Sequence, residues 1–116
     1  GGEPLYVVAL DPALNVVVVG SREEALFPGL EADGLNWMGL AELNEPVRAR
    51  IRIRHRHDPA WGWIEPTGDA DLVRARFDEP QPAVAPGQAV VFYDEADRVL
   101  GGGWIKAPLR AEPARR

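Results

Sequence analysis

The stretch Val47-Arg48-Ala49-Arg50-Ile51-Arg52-Ile53-Arg54-His55-Arg56-His57 decides the fold. Val47, Ala49, Ile51, Ile53, His55 and His57 alternate with five arginines, so a period of two holds over eleven residues. Successive side chains of an extended chain point to opposite faces. The pattern therefore specifies a half-buried strand with one apolar face and one basic face. On the basic face the guanidinium groups would recur about every 6.6–6.8 Å.

Downstream, four shorter stretches read as strands: Ala60–Pro66, Leu72–Phe77, Ala89–Tyr93 and Arg98–Ile105. Turn residues separate them at Thr67-Gly68-Asp69, from Pro80 to Gly87 and from Asp94 to Asp97. Upstream, Leu5–Leu10 and Val16–Val19 flank the turn-forming Asp11-Pro12-Ala13-Leu14-Asn15 and read as a hairpin. Ser21-Arg22-Glu23-Glu24 has the signature of a helix start, with Ser21 as cap and Glu24 three residues on; Pro28-Gly29 limits it to one turn. Leu30 to Met38 reads as another strand, and Gly39 to Pro46 as a linker where the charge balance changes sign.

These readings predict an all-β chain, a small antiparallel β-barrel preceded by a β-hairpin subdomain. Residues 1–38 would end a central subdomain, 39–110 would form the barrel, and 111–116 would be a flexible tail, with fraying from Pro108 onward.

The 116 residues suit one compact domain, or one domain with a piece of another. Apolar residues make up 46% and charged residues 27%, enough to bury a core. The chain has no cysteine, which excludes disulfides, thiolate metal sites and cysteine nucleophiles within it and fits a reducing compartment. No apolar run reaches the roughly 18–20 residues of a membrane span, and no signal peptide opens the chain. A cytoplasmic molecule is expected. The start at Gly1-Gly2, without Met, suggests a fragment or a processed piece.

A net charge of −5 argues against nucleic acid, but its distribution argues the other way. Residues 1–45 carry net −7, residues 46–76 net +3 and residues 77–116 net −1. A basic stripe thus sits on an acidic body, and the local field decides what a polyanion meets. Nothing in folding asks for five like charges in a row. Arg74 and Arg76 extend the stripe if Val73, Ala75 and Phe77 face the core. Guanidinium groups bind phosphate oxygens in pairs and stack on bases. The competing reading is a solvated face neutralised by cross-strand acids such as Glu65, Asp69 or Asp71.

Other constellations carry less chemistry. His55 and His57 share a face beside Asp58, but no third metal ligand is evident. Trp61 and Trp63 also share a face; they could stack on bases, yet large aromatics beside Ile64 more often seal a core, and at least one is expected inside. Gly101-Gly102-Gly103 suggests a bulge or the close approach of another backbone, and lacks the lysine and helix of a phosphate loop. Asp78-Glu79 and Asp94-Glu95-Asp97 fall in turns without a nucleophile or base nearby, so no catalytic residue is assigned.

Ordered matches over nearly the whole chain then point to a family. Phe77-Asp78-Glu79-Pro80-Gln81, Ala83-Val84-Ala85-Pro86-Gly87-Gln88-Ala89-Val90-Val91-Phe92-Tyr93 and Leu100-Gly101-Gly102-Gly103-Trp104-Ile105 resemble the C-terminal signature of tRNA-specific 2-thiouridylases. Arg52-Ile53-Arg54-His55-Arg56 is similar to that family's basic strand, Leu35-Asn36-Trp37 to a short motif before it, and Gly1 to Val8 to the end of its central segment.

The resemblance implies an enzyme that uses ATP to activate the wobble uridine of certain tRNAs at C2 and replaces that oxygen with persulfide sulfur. It implies an N-terminal PP-loop catalytic domain holding the ATP, two cysteines, and a sulfur-donor protein, none of them in this chain. No cofactor is expected in this piece. Carried over by position, tRNA contacts fall on Arg54, His55 and Gln88, with Arg52 and Arg56 beside them on the stripe. The family usually has Tyr at the position of His55 and Gln at that of His57, and commonly Arg and Thr where Pro82 and Ala85 stand. A protein-interaction barrel of the kind found in translation factors is the alternative, and a self-contained small hydrolase ranks last.

Overall fold

The computed structural model describes residues 6–11, 16–20, 26–53 and 58–110. Eight strands run in chain order: β1 (Tyr6–Asp11), β2 (Val16–Gly20), β3 (Leu26–Trp37), β4 (Val47–Arg52), β5 (Ala60–Pro66), β6 (Val73–Pro82), β7 (Ala89–Tyr93) and β8 (Val99–Leu109). There is no helix among the described residues. The helical turn expected at Ser21–Glu24 lies outside them.

Strands β1 and β2 pair antiparallel as their own two-stranded sheet, from Tyr6 opposite Gly20 to Asp11 opposite Val16. The other six close into an antiparallel barrel in the order β3-β6-β5-β4-β7-β8, with β8 returning to β3. Strands β4, β5 and β6 form a meander, and β7 comes back to lie beside β4, which is a Greek-key connection. One rim of the barrel gathers the end of β4, the start of β5, the β6–β7 loop and the end of β8. The opposite rim gathers the 38–46 connection and the β5–β6 and β7–β8 turns.

Alternation supplies the core. Ala49 and Ile51 of β4, Ile64 of β5, Val73, Ala75 and Phe77 of β6, and Val90 and Phe92 of β7 all point inward and are buried. Leu30, Ile105 and Phe92 fill the interior, and Trp37 stacks on Phe92 with ring centroids 5.9 Å apart. No buried side chain in this core is polar.

Three strands run further than the sequence reading, two of them for one reason. Strand β3 begins at Leu26 and runs through Pro28-Gly29, where a stop was expected. It pairs with both β6 and β8, so residues 26–37 are a barrel stave on the far side of the expected boundary at 38–46. Proline is tolerated because the β3–β6 register breaks there, between Phe27 and Gly29. The same irregularity lets β6 continue to Pro82, where the sequence suggested a turn from Pro80. Strand β8 likewise continues through Pro108 to Leu109, where fraying was expected.

The triple glycine behaves as its composition suggests. A Cβ on Gly101 would stand 2.6 Å from the Asn36 carbonyl oxygen and 2.6 Å from the Trp37 ring. On Gly102 it would stand 2.6 Å from the Val90 carbonyl oxygen. The β3–β8 and β7–β8 registers both shift around this segment. Two backbones crowd β8 from either side, and only glycine leaves them room.

Candidate nucleic-acid interface

Strand β4 turns its arginines outward, as the alternation requires. Arg48, Arg50 and Arg52 are half-buried on the outer surface between β5 and β7. Arg54, His55, Arg56 and His57 lie outside the described residues.

The three described arginines have different surroundings. Arg48 donates from Nη1 to Asp78 Oδ1 at 2.7 Å and from Nη2 to Asp78 Oδ2 at 2.6 Å, a two-pronged ion pair. These bonds hold the Asp78 carboxyl below the usual aspartate range and raise the Arg48 guanidinium further. Arg50 is paired with Asp97. Arg52 makes no ion pair among the described residues; its guanidinium lies over the Tyr93 ring at 5.6 Å, and its Nε is buried without a hydrogen-bond partner.

The expected row of unpaired guanidinium groups is thus corrected for two positions. Arg48 and Arg50 are capped by acids, and not by those the sequence suggested. Asp78 comes from β6, 30 residues along the chain, and Asp97 from the β7–β8 turn, 47 residues along. Of the acids expected as partners, Glu65 pairs with Arg76 at 3.0 Å. Asp69 and Asp71 serve the backbone instead: Asp69 accepts from the Asp71 N–H, and Asp71 from the N–H groups of Gly34 and Leu35. Arg74 lies 3.7 Å from Glu31.

Trp61 and Trp63 are corrected as well. Neither is in the core; they are 39% and 44% exposed, on the same outer face as the arginines. Gly62 and Ile64 occupy the inward positions of β5, which leaves the odd-numbered residues outside. Arg48 faces Trp63 and Arg50 faces Trp61 across the ladder. The Arg48 guanidinium sits 5.1 Å from the Trp61 ring and 5.6 Å from Trp63, and Arg50 sits 5.5 Å from Trp61. Sequence reasoning thus left open the outward placement of both tryptophans, and it missed the pairing of Asp78 and Asp97 with the arginines and the place of Tyr93 beside Arg52. The parity of Ile64 was the available signal for the tryptophans.

Gln88 lies at the same rim as Arg52. Arg52 is opposite Val91 on β7, and Gln88 immediately precedes that strand. The Gln88 side-chain oxygen accepts from the Ala85 N–H at 3.2 Å, and its backbone carbonyl accepts from the Ile105 N–H at 2.8 Å. Buried Val84 pins the loop from below, and Ala83 adopts a φ of 58°. Half of the Gln88 amide is thus spent shaping its own turn. Lys106 and Arg110 lie toward this rim, at the end of β8. Asp69, Asp71, Asp94, Glu95 and Asp97 lie in turns at the opposite rim. Asp58, just before β5, and Glu79, near the end of β6, are exposed acids on the Arg52 side, and Arg98 is a cation on the other.

A family model described as the aminomethyltransferase β-barrel domain matches residues 28–105, a span running from within β3 almost to the end of β8. The chain belongs to this family. The match takes in all six staves of the barrel and leaves out the β1–β2 hairpin. Among curated proteins, this barrel-domain chain is 52% identical over 104 residues to the tRNA-specific 2-thiouridylase MnmA of Koribacter versatilis (strain Ellin345), covering 90% of the chain and 28% of that protein. It is 53% identical over 103 residues to the protein of the same name from Syntrophotalea carbinolica, covering 89% and 28%. With that of Synechocystis sp. it shares 44% over 112 residues, 97% of the chain and 30% of the relative. The chain thus spans somewhat over a quarter of the length of these relatives. Among the described residues, no helix is long and apolar enough to cross a membrane.

Proposed function

We propose that this chain is the tRNA-binding C-terminal barrel of a cytoplasmic tRNA-specific 2-thiouridylase, holding tRNA against a PP-loop catalytic domain that lies outside it. The observation that carries the reading is identity of about half to named 2-thiouridylases over some nine-tenths of the chain. The rim around Arg52 supports it. Arg52 makes no ion pair there among the described residues, and the β6–β7 loop with Gln88 adjoins it.

With no cysteine among its 116 residues, the chain's share of the reaction is binding. ATP activation of the wobble uridine and sulfur delivery from a donor protein belong to the catalytic portion. Arg52, Arg54 and Arg56 would meet phosphate, His55 would contact the tRNA beside them, and the Gln88 amide would hydrogen-bond at the loop.

The test is a triple substitution, Arg52→Ala, Arg54→Ala and Arg56→Ala, read by tRNA binding and by thermal unfolding. Affinity should fall about tenfold or more while the unfolding midpoint stays in place. Unchanged affinity would overturn the role given to the rim.

A further inference from the structure

The outer wall of β4–β5–β6 has a chemistry of its own. Its arginines are neutralised: Arg48 by Asp78, Arg50 by Asp97 and Arg76 by Glu65. A phosphate arriving there would have to displace a two-pronged carboxylate and remain beside it. The ring faces are engaged too, since Trp61 has two guanidinium groups within 5.5 Å of its centroid and Trp63 has one at 5.6 Å. A nucleobase would have to displace cations to stack. What the wall does offer is two half-exposed indoles, interleaved with arginines whose charge is cancelled. Trp and Arg in that setting are what buried protein–protein contacts are enriched in.

We infer that the Trp61–Trp63 wall is the face on which the catalytic portion of the longer polypeptide packs, and that RNA does not bind there. This rests on the reading of the chain as part of a 2-thiouridylase. The matched relatives extend far beyond it, the chain covering about 28% of their length, so on that reading a large body of the same polypeptide would be available to cover the indoles. Ion pairing sets the two surfaces apart in the same sense: the wall arginines are paired with carboxylates, while Arg52 at the rim makes no ion pair among the described residues.

Hydroxyl-radical footprinting with mass spectrometry tests this on the full-length protein, with and without tRNA, against the present chain alone. Trp61 and Trp63 should be oxidised severalfold more slowly in the full-length protein without tRNA than in the isolated chain, with no further change when tRNA is added. Equal rates in both proteins would overturn the inference. So would protection that appears only with tRNA, which would make the wall an RNA platform. Failure of the function itself reads out elsewhere, as absence of tRNA-dependent protection at the segment 52–57 and at the 83–88 loop.

Discussion

Arg48 and Asp78 meet across the outer wall, Nη1 donating to Oδ1 at 2.7 Å and Nη2 to Oδ2 at 2.6 Å, over the ring of Trp61. The pairing reaches over β5 from β4 to β6, and it follows from the phase of β6: Phe77 faces inward opposite Gly62, which leaves Asp78 outside like Arg74 and Arg76. Between the partners of Phe27 and Gly29, strand β6 carries four residues, Phe77 to Pro80, where β3 carries Pro28 alone. The extra residues face β3, and the β5 side of the strand keeps its regular phase as far as Phe77. With Asp97 on Arg50, two of the five cations that the sequence offers are withdrawn from any polyanion.

The salt dependence of tRNA binding measures that withdrawal. With five arginines on phosphate, the slope of log affinity against log salt would be about −3.5; with Arg52, Arg54 and Arg56 alone it would be about −2, at roughly −0.7 per contact. A slope near −2 is expected from binding isotherms across a salt series. A value near −3.5 would mean that phosphate displaces Asp78 and Asp97.

The double variant Asp78→Asn, Asp97→Asn should release Arg48 and Arg50. Its slope should steepen toward about −3.5 if the freed groups reach phosphate. In the isolated chain, where the wall is uncovered, binding tighter than that of the parent at low salt is the expected sign; in the full-length protein, where the wall is packed, the two should bind alike.

Acid should weaken the fold through Asp78 and Asp94. The Asp94 carboxyl is also held below its ordinary value, chiefly by the N–H of Arg98, then by that of Ala96 and the Arg98 side chain. A lowered folded-state pKa means that the unfolded chain binds protons first as pH drops. The stability from both groups is complete above the ordinary value of 3.8 and is lost as pH falls through their lowered values. Unfolding midpoints followed from pH 6 to pH 2, an interval of about four units, should drop at its acid end, and less steeply in Asp78→Asn and Asp94→Asn.

Gly101→Ala and Gly68→Ala should separate crowding from backbone strain. A methyl group on Gly101 meets the Asn36 carbonyl and the Trp37 ring, both at 2.6 Å, and should cost about 3 kcal/mol or more or prevent folding. Gly68 has a φ of +93° but nothing within 4 Å, so its variant should lose about 1 kcal/mol. Denaturant unfolding of the two variants gives the comparison.

The staves were legible wherever apolar residues alternated. Strands β5 and β7 match their sequence bounds residue for residue, and the triple glycine announced a close approach. Strand β3 was half hidden, because Pro28-Gly29 reads as a stop unless the register break opposite it is known. The tryptophans were misplaced because residue type was weighed above phase, although Ile64 already fixed which side of β5 faces inward. The acids that cap Arg48 and Arg50 could not be read at all. Which carboxylate arrives depends on strand order and stagger, and neither is written in any local run of residues.

Closure of the ring by β8 on β3 has a consequence for recognition. Every stave has a hydrogen-bonded neighbour on both flanks, so the cylinder has no seam where a foreign peptide could add itself as another strand. Whatever docks on this barrel must read side chains, on its flank or around its mouth.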